Sequence, residues 1–449
     1  MTCQDRGLDP SILGAPQELV GCSQATLASA AAPCSRCATP NVVLGMRVVP
    51  AEVRDHIIDQ LRTDRTSLEA CSLTCHAWLP RARHHLFKSV KVDRCCRGES
   101  FKALIDGSPT IARHIRHVEL SGARSGTGSW WSGDDRYARL SGWWPTLGQR
   151  MQRQGGTDSL EIAEWLRTIL PKSITALNRV TRLTLTSLHI SADVAEALKP
   201  HFVGVVELVI NGCQGLSFSD FLQLRSAIPQ VRSIRVVEAR WLPHAGIAPE
   251  PTTHGNVHVT TLEFSRKIDI VTVFDFLVRT GRHAKLTSLS CFVTSHASAK
   301  ALKNMLDTLG SNLEHLGIGF SDVRDPTEIL RSCDLTLISS TGLRSIRISC
   351  ATTERFSTYR ISLSWILHIL SRVASPVIHE IVFYIPQRDL SALNLDGLIA
   401  VFSHSRYRSL QRIVFDVELS HAQNVLHDDE VRTRLSVLNR SLKFNAICR

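Results

Sequence analysis

Nineteen histidines and thirteen cysteines are the residues with which this 449-residue chain could hold a metal or build a nucleophile. Their spacing favours neither. Cys34 and Cys37 form a C-x-x-C, which supplies two zinc ligands where a structural site takes four, and no second pair stands at finger spacing. Cys71, Cys75 and His76 could ligate together, but cysteines at i and i+4 more often pack as small apolar residues in a helical core. His84 and His85 are adjacent and point in different directions on a helix. Gly122, Gly126 and Gly128 neither follow a strand into a helix nor keep the spacing of a dinucleotide loop. G-x-S-x-G, P-loop, H-E-x-x-H and kinase signatures are absent. The expectation is a chain with no catalytic, cofactor-binding or metal-ligating residues, which works by binding.

Composition bounds what that binding involves. With 43% hydrophobic and 21% charged residues the chain is of ordinary globular type, which excludes a wholly disordered or collagen-like protein. Its length permits about two to four domains. No apolar run approaches the roughly 20 residues of a membrane span. Met1 to Ala32 has neither a basic start nor a continuous apolar stretch, so no secretory signal is expected. The formal net charge is +11, which attracts nucleic acid only if the positive charges form a stripe. Odd-numbered, scattered cysteines suit reduced thiols in the cytoplasm or nucleus.

The elements that would position a binding surface follow from periodicity. Residues 1–45, rich in Ala, Pro, Ser and Thr, read as a disordered tail. Beyond Pro50, Val53, Ile57 and Leu61 recur at i, i+4 and i+8 with Ile58 beside them, an amphipathic helix whose polar face carries Arg54, Asp55, Asp59 and Gln60. Thr66 to Glu69 has capping-box spacing and opens a second helix with Leu68, Cys71 and Cys75 inward. A third, about His76 to Leu86, carries Trp78, Ala82 and Leu86 on one side. Three helices in about 40 residues make a small core that needs a partner or the next domain to lean on.

From about Phe87 one pattern repeats, L-x-x-L-x-L, at Ile115-Val118-Leu120 and again at first positions 180, 205, 231, 259, 286, 313, 343, 378 and 410. Between 180 and 343 the steps run from 25 to 30 residues, in or just above the range of leucine-rich repeats, and later steps of 35 and 32 imply insertions. Helix-like stretches such as Phe218 to Ala227, Ile270 to Arg279 and Ala299 to Leu309 alternate with these strands. The fold class expected is an α/β solenoid, an irregular leucine-rich-repeat-like array of parallel strands and helices behind a three-helix unit. One segment, about 122–152, breaks the register with Trp130, Trp131, Trp143 and Trp144; it reads as a partner-binding loop or as an insertion closing the solenoid edge. Positions between the strand leucines face the concave side. There arginines and carboxylates alternate without a run of one sign, which suits a protein ligand of mixed charge and makes nucleic acid an unlikely partner. Arg235, Glu263, Phe292, Arg347 and Tyr384 are the candidate target-binding residues, with Phe292 and Tyr384 as apolar anchors.

The helical segment resembles an F-box. The phrasing Ala70-Cys71-Ser72-Leu73-Thr74-Cys75-His76-Ala77-Trp78-Leu79-Pro80, closing on His85-Leu86-Phe87, is similar to F-box-like proteins of fungi. The family opens with Leu-Pro-x-Glu where this chain has Val49-Pro50-Ala51-Glu52, and has Val-Cys before the tryptophan where this chain has Thr74-Cys75. The resemblance implies an F-box at 46–92 and a leucine-rich-repeat-like domain over 93–449. It also implies docking on the Skp adaptor of a cullin-RING ubiquitin ligase, with the repeats recruiting an unknown target protein for ubiquitin conjugation. By position, Pro50, Val53, Ile57 and Leu61 of the first helix match the family's apolar pattern, as do Leu73, Cys75, Trp78 and Leu79. That pattern both packs the helices and meets the adaptor, with Pro50, Ile57 and Leu61 the leading contacts and Trp78 either core or contact. The alternative is a repeat scaffold whose helical start is only a cap, with no ligase role.

Overall fold

The structure, a computed structural model, describes residues 49–93, 97–122, 159–170, 177–239, 259–350 (267, 322 and 324 apart), 363–386, 389, 392–418 and 445–448. The expected tail with Cys34 and Cys37, and the four tryptophans of the 122–152 insertion, lie outside the described residues. The chain divides into two units, Met1–Ala51 and Glu52–Arg449. Of the first, Val49, Pro50 and Ala51 are described, and all three are exposed.

From Ala51 the chain forms helices α1 (Ala51–Gln60), α2 (Arg65–Thr74) and α3 (Leu79–Phe87). α2 starts earlier than Thr66. Its cap is Asp64, whose carboxylate accepts the Ser67 backbone N–H at 3.2 Å and the Ser67 hydroxyl at 2.6 Å. A charged acceptor satisfies that free N–H better than the Thr66 hydroxyl, and Glu69, freed from capping, pairs with Arg65 at 2.6 Å. α3 starts at Leu79 with Pro80 in its first turn, where a missing N–H costs nothing. Ile58, Leu68, Cys71 and Ala82 form a small core with Leu61, Trp78 and Leu86 packed against it, separate from the core of the sheet.

Among the described residues twelve strands form one all-parallel sheet: β1 (Ser89–Asp93), β2 (His117–Ser121), β3 (Arg182–Thr186), β4 (Glu207–Asn211), β5 (Ser233–Val237), β6 (Thr261–Phe264), β7 (Ser288–Val293), β8 (His315–Phe320), β9 (Ser345–Ser349), β10 (Glu380–Pro386), β11 (Arg412–Glu418) and β12 (Asn445–Cys448). Spatial order equals chain order, each strand pairs with its sequence neighbours, and β1 and β12 stand at open edges. Helices α4 (Arg97–Gly107), α5 (Pro109–Ala112), α6 (Ser159–Ile169), α7 (Ala192–Leu198), α8 (Phe218–Ala227), α9 (Ile270–Arg279), α10 (His296–Leu309), α11 (Pro326–Ser332), α12 (Ser364–Ser371) and α13 (Leu395–Phe402) lie between strands, an α/β arrangement. Among the described residues no helix is long and apolar enough to cross a membrane.

The apolar triplets read from the sequence build the core. All ten fall on a strand or just before it, and Val259, at 8% exposure, is the least buried of their residues. α8 and α9 span the expected residues, whereas α10 begins three residues before Ala299 because Ser295 caps it through Ser298. The sheet also takes in two strands the pattern reading did not assign, β1 and β12.

Between neighbouring strands the backbone repeats one geometry. The carbonyl of the residue before each of β1 to β10 accepts two successive N–H groups at the start of the next strand: Arg116 from Thr181 (2.8 Å) and Arg182 (3.0 Å), Val206 from Arg232 (2.9 Å) and Ser233 (3.0 Å), and likewise at Thr260, Thr287, Glu314, Arg344 and His379. Gly204 and Gly342 share one position, directly before a triplet. A Cβ at either would run into a backbone carbonyl of the preceding strand's segment, that of Asn178 or Ser311, so only glycine lets the two segments approach there.

Candidate partner-binding surfaces

On α1 the inward stripe is Arg54, Ile58 and Leu61, rotated from the expected one. Ile58 is fully buried, whereas Val53 is 47% and Ile57 42% exposed, one turn apart on the outer side. The cause lies on α3. Arg81 grips Asp59 through two hydrogen bonds of 2.6 Å, and His85 Nε2 meets the same carboxylate at 2.7 Å. These contacts turn positions 58 and 59 toward α3 and leave 53 and 57 to solvent. The Arg81 and His85 hydrogen bonds hold the Asp59 carboxyl far below the usual carboxylate range.

The other residues expected to meet an adaptor divide. Leu73, at 86% exposure, stands free of the small core, and Pro50 is exposed. Cys75 is not inward as expected. It caps the end of α2 in extended conformation and is exposed, because the helix ends one residue before it. Leu61 and Trp78 are half-buried and pack on the core, and Leu79 is half-buried. Three apolar side chains of α1 and α2, Val53, Ile57 and Leu73, are thus left without cover. The sequence shows Asp59 and His85 but not their partnership with each other and Arg81, because it spans 22 and 26 residues and has no local period.

The second surface is the sheet face away from the helices. Register places its side chains in rows, and the charges pair across strands: Lys91 with Glu119 at 2.9 Å, Arg182 with Glu207 at 3.6 Å, Arg235 with Glu263 at 2.8 Å, and Arg412 with Glu380. The alternation of sign read from the sequence therefore has an internal use, neutralising neighbours about 4.8 Å apart. Arg235 and Glu263 are brought together and satisfy each other. Arg347 and Tyr384 are also brought together, the guanidinium 5.5 Å from the ring centre. Phe292 lies across β8, where Gly319 leaves room: a Cβ there would stand 2.5 Å from its ring. Arg266, missed in the sequence because it lies outside the strand pattern, sits 5.8 Å from the same ring.

Groups elsewhere have structural roles. Burial pushes the Cys213 and Cys291 thiols up to about 12, so they stay protonated and unreactive. Cys213 donates to the Leu185 carbonyl at 3.4 Å, tying the turn after β4 to β3. His84 stacks edge-on to His114 at 6.0 Å, and burial pushes both imidazoles down. An open recess of about 300 Å³ between the starts of α10 and α11 is lined by Ser295, His296, Asp325 and Glu328. Two of these are helix caps, Ser295 to Ser298 N–H and Asp325 to the N–H groups of Thr327 and Glu328. Among the described residues no three His, Cys, Asp or Glu side chains are grouped to hold a metal ion.

Fold and surfaces together define an α/β protein with a parallel sheet laid down in chain order and a small helical unit before it. No protein-family model and no curated protein matches the chain. Among solved structures it is similar to a Salmonella D-lactate dehydrogenase, with 12% identity over 59% of this chain and 81% of that one and a TM-score of 0.14. A likeness that slight carries no argument about fold or chemistry.

Proposed function

We propose that the chain is a non-catalytic substrate-recognition subunit of a Skp–cullin–F-box ubiquitin ligase, with α1–α3 docking the adaptor and a leucine-rich-repeat-like solenoid capturing the target. The observation that carries the adaptor half is the exposure of Val53, Ile57 and Leu73 on helices whose own core is only four buried residues. Apolar side chains left out of so small a core stabilise the complex that covers them. The solenoid half is supported by the sequential strand order and by the two-donor carbonyl geometry repeated from strand to strand. Cys213, three residues after the strand leucines, occupies the Asn/Cys position of the leucine-rich consensus. Catalysis of transfer would belong to the ligase partners, and this chain would contribute proximity. Free thiols at Cys71, Cys75, Cys213, Cys291, Cys333 and Cys350 fit a reducing compartment, cytoplasm or nucleus.

One observation favours the alternative, a repeat scaffold with α1–α3 as a cap. α3 leans on α5 and β1, as a cap would. Affinity capture separates the two readings. A tagged wild type recovers a Skp-type adaptor and cullin, and a Val53→Asp, Ile57→Asp variant, altered only at exposed positions, does not. Equal recovery by both, or none by either, sinks the ligase reading in favour of the cap.

A further inference from the structure

The strand cations on the exposed face of the sheet are paired except at one place. They are Lys91, Arg182, Arg235, Arg347 and Arg412 among the described residues, and register gives all but one a carboxylate neighbour on an adjoining strand. The exception is Arg347, whose register neighbours are Gly317 on β8 and Val382 on β10. It is exposed, it has no carboxylate within ion-pair distance among the described residues, and it rests on the Tyr384 ring. Gly317 sets no side chain beside it, and Ser290 leans its hydroxyl over that glycine from β7. The charge is felt locally. Burial is the first cause that pushes the His315 imidazole down, and His379, Arg344 and Arg347 add to it against Glu314. Two strands further, the Phe292 ring occupies the space beside Gly319, with Arg266 above it.

We propose that the sheet face between β7 and β10 receives an anionic side chain of an extended peptide, with Arg347 on Tyr384 as the receiving charge, the Ser290 hydroxyl beside it and Phe292 as the adjacent apolar platform. An exposed guanidinium with no carboxylate partner among the described residues offers paired N–H donors to two oxygens, which suits a carboxylate or a phosphate and is reproduced poorly by a lysine. A nucleic acid is disfavoured because it needs a line of cations, and the other cations of this face are already paired. The inference rests on reading the sheet as the target-binding surface and names the chemistry it selects.

The test uses the full chain and fluorescein-labelled peptides in which Ser and Phe alternate with Glu, with phosphoserine or with Gln, together with labelled polyuridine, followed by anisotropy. The expected result is saturable binding of the Glu or the phosphoserine peptide, whichever source of charge the site takes, and none of the Gln peptide. Arg347→Ala then weakens binding about 10- to 100-fold, the size of a charge-assisted hydrogen bond, and Arg347→Lys recovers only part of it. Arg235→Ala, which removes a cation already paired with Glu263, changes it a few-fold at most, about what a screened surface charge contributes. Circular dichroism of each variant verifies that the fold is kept. Equal binding of the Gln peptide, no loss in Arg347→Ala, or polyuridine binding with the same dependence on Arg347 overturns the inference. A wild type that recovers adaptor yet ignores both anionic peptides overturns it while leaving the ligase reading intact. Loss of adaptor recovery with peptide binding unchanged does the reverse.

Discussion

Two leucines on α2 separate what holds the helices together from what they offer a partner. Leu68 is 2% exposed and Leu73 86% exposed, although they lie five residues apart. Truncating Leu73 to Ala removes three carbons that touch little in the free chain, so folding stability changes by less than about 0.5 kcal/mol. In a complex that buries it, each lost methylene is worth about 0.8 kcal/mol, a loss of about 2 kcal/mol in all, or roughly 30-fold in Kd. Truncating Leu68 to Ala does the opposite. It opens the small core and costs folding about 2–5 kcal/mol. Titration calorimetry against a purified Skp-type adaptor reads the first effect, and urea denaturation reads the second. If Leu73→Ala binds adaptor as tightly as wild type, or destabilises the chain as much as Leu68→Ala does, the assignment of an uncovered docking face is refuted.

Further predictions follow from the same contacts. Asp59 has its carboxyl lowered by Arg81 and His85, so its contribution is full above about pH 4, the unfolded value, and is lost as pH falls toward the depressed folded one. Asp59→Asn therefore destabilises by about 0.5–1 kcal/mol at neutral pH, an amount fitting a partly exposed pair, and denaturation curves show the gap closing in acid. Iodoacetamide modifies exposed Cys75 in the native protein and spares Cys213 and Cys291, whose thiols burial keeps protonated, as peptide mass spectrometry reads directly. Gly342→Ala forces a Cβ onto the Ser311 carbonyl and costs about 1–3 kcal/mol by chemical denaturation.

The sheet was legible because a parallel strand covered by helices needs apolar residues at fixed positions, and ten triplets supply them in register. The two strands that escaped did so for identifiable reasons. Phe87, Val90 and Val92 fit the same pattern, but Phe87 also ends α3, so the triplet was absorbed into the helical unit. β12 sets small Ala446 and Cys448 opposite Ile413 and Phe415, too little apolar bulk to stand out as a triplet. The facing of α1 was not legible, since Val53, Ile57, Ile58 and Leu61 make two overlapping stripes. A carboxylate grip from α3 selects between them, and local periodicity carries no trace of it. On the exposed sheet face the sequence named Arg235 and Arg347 alike. Only register distinguishes a cation beside Glu263 from one beside glycine and valine.

Hydrogen–deuterium exchange of the full chain with and without a purified Skp-type adaptor addresses the central proposal most directly. The account predicts adaptor-dependent protection in α1 and α2, over Ala51–Gln60 and Arg65–Thr74, with the sheet from β2 to β11 unchanged. No protection at saturating adaptor, or protection confined to the sheet, contradicts it.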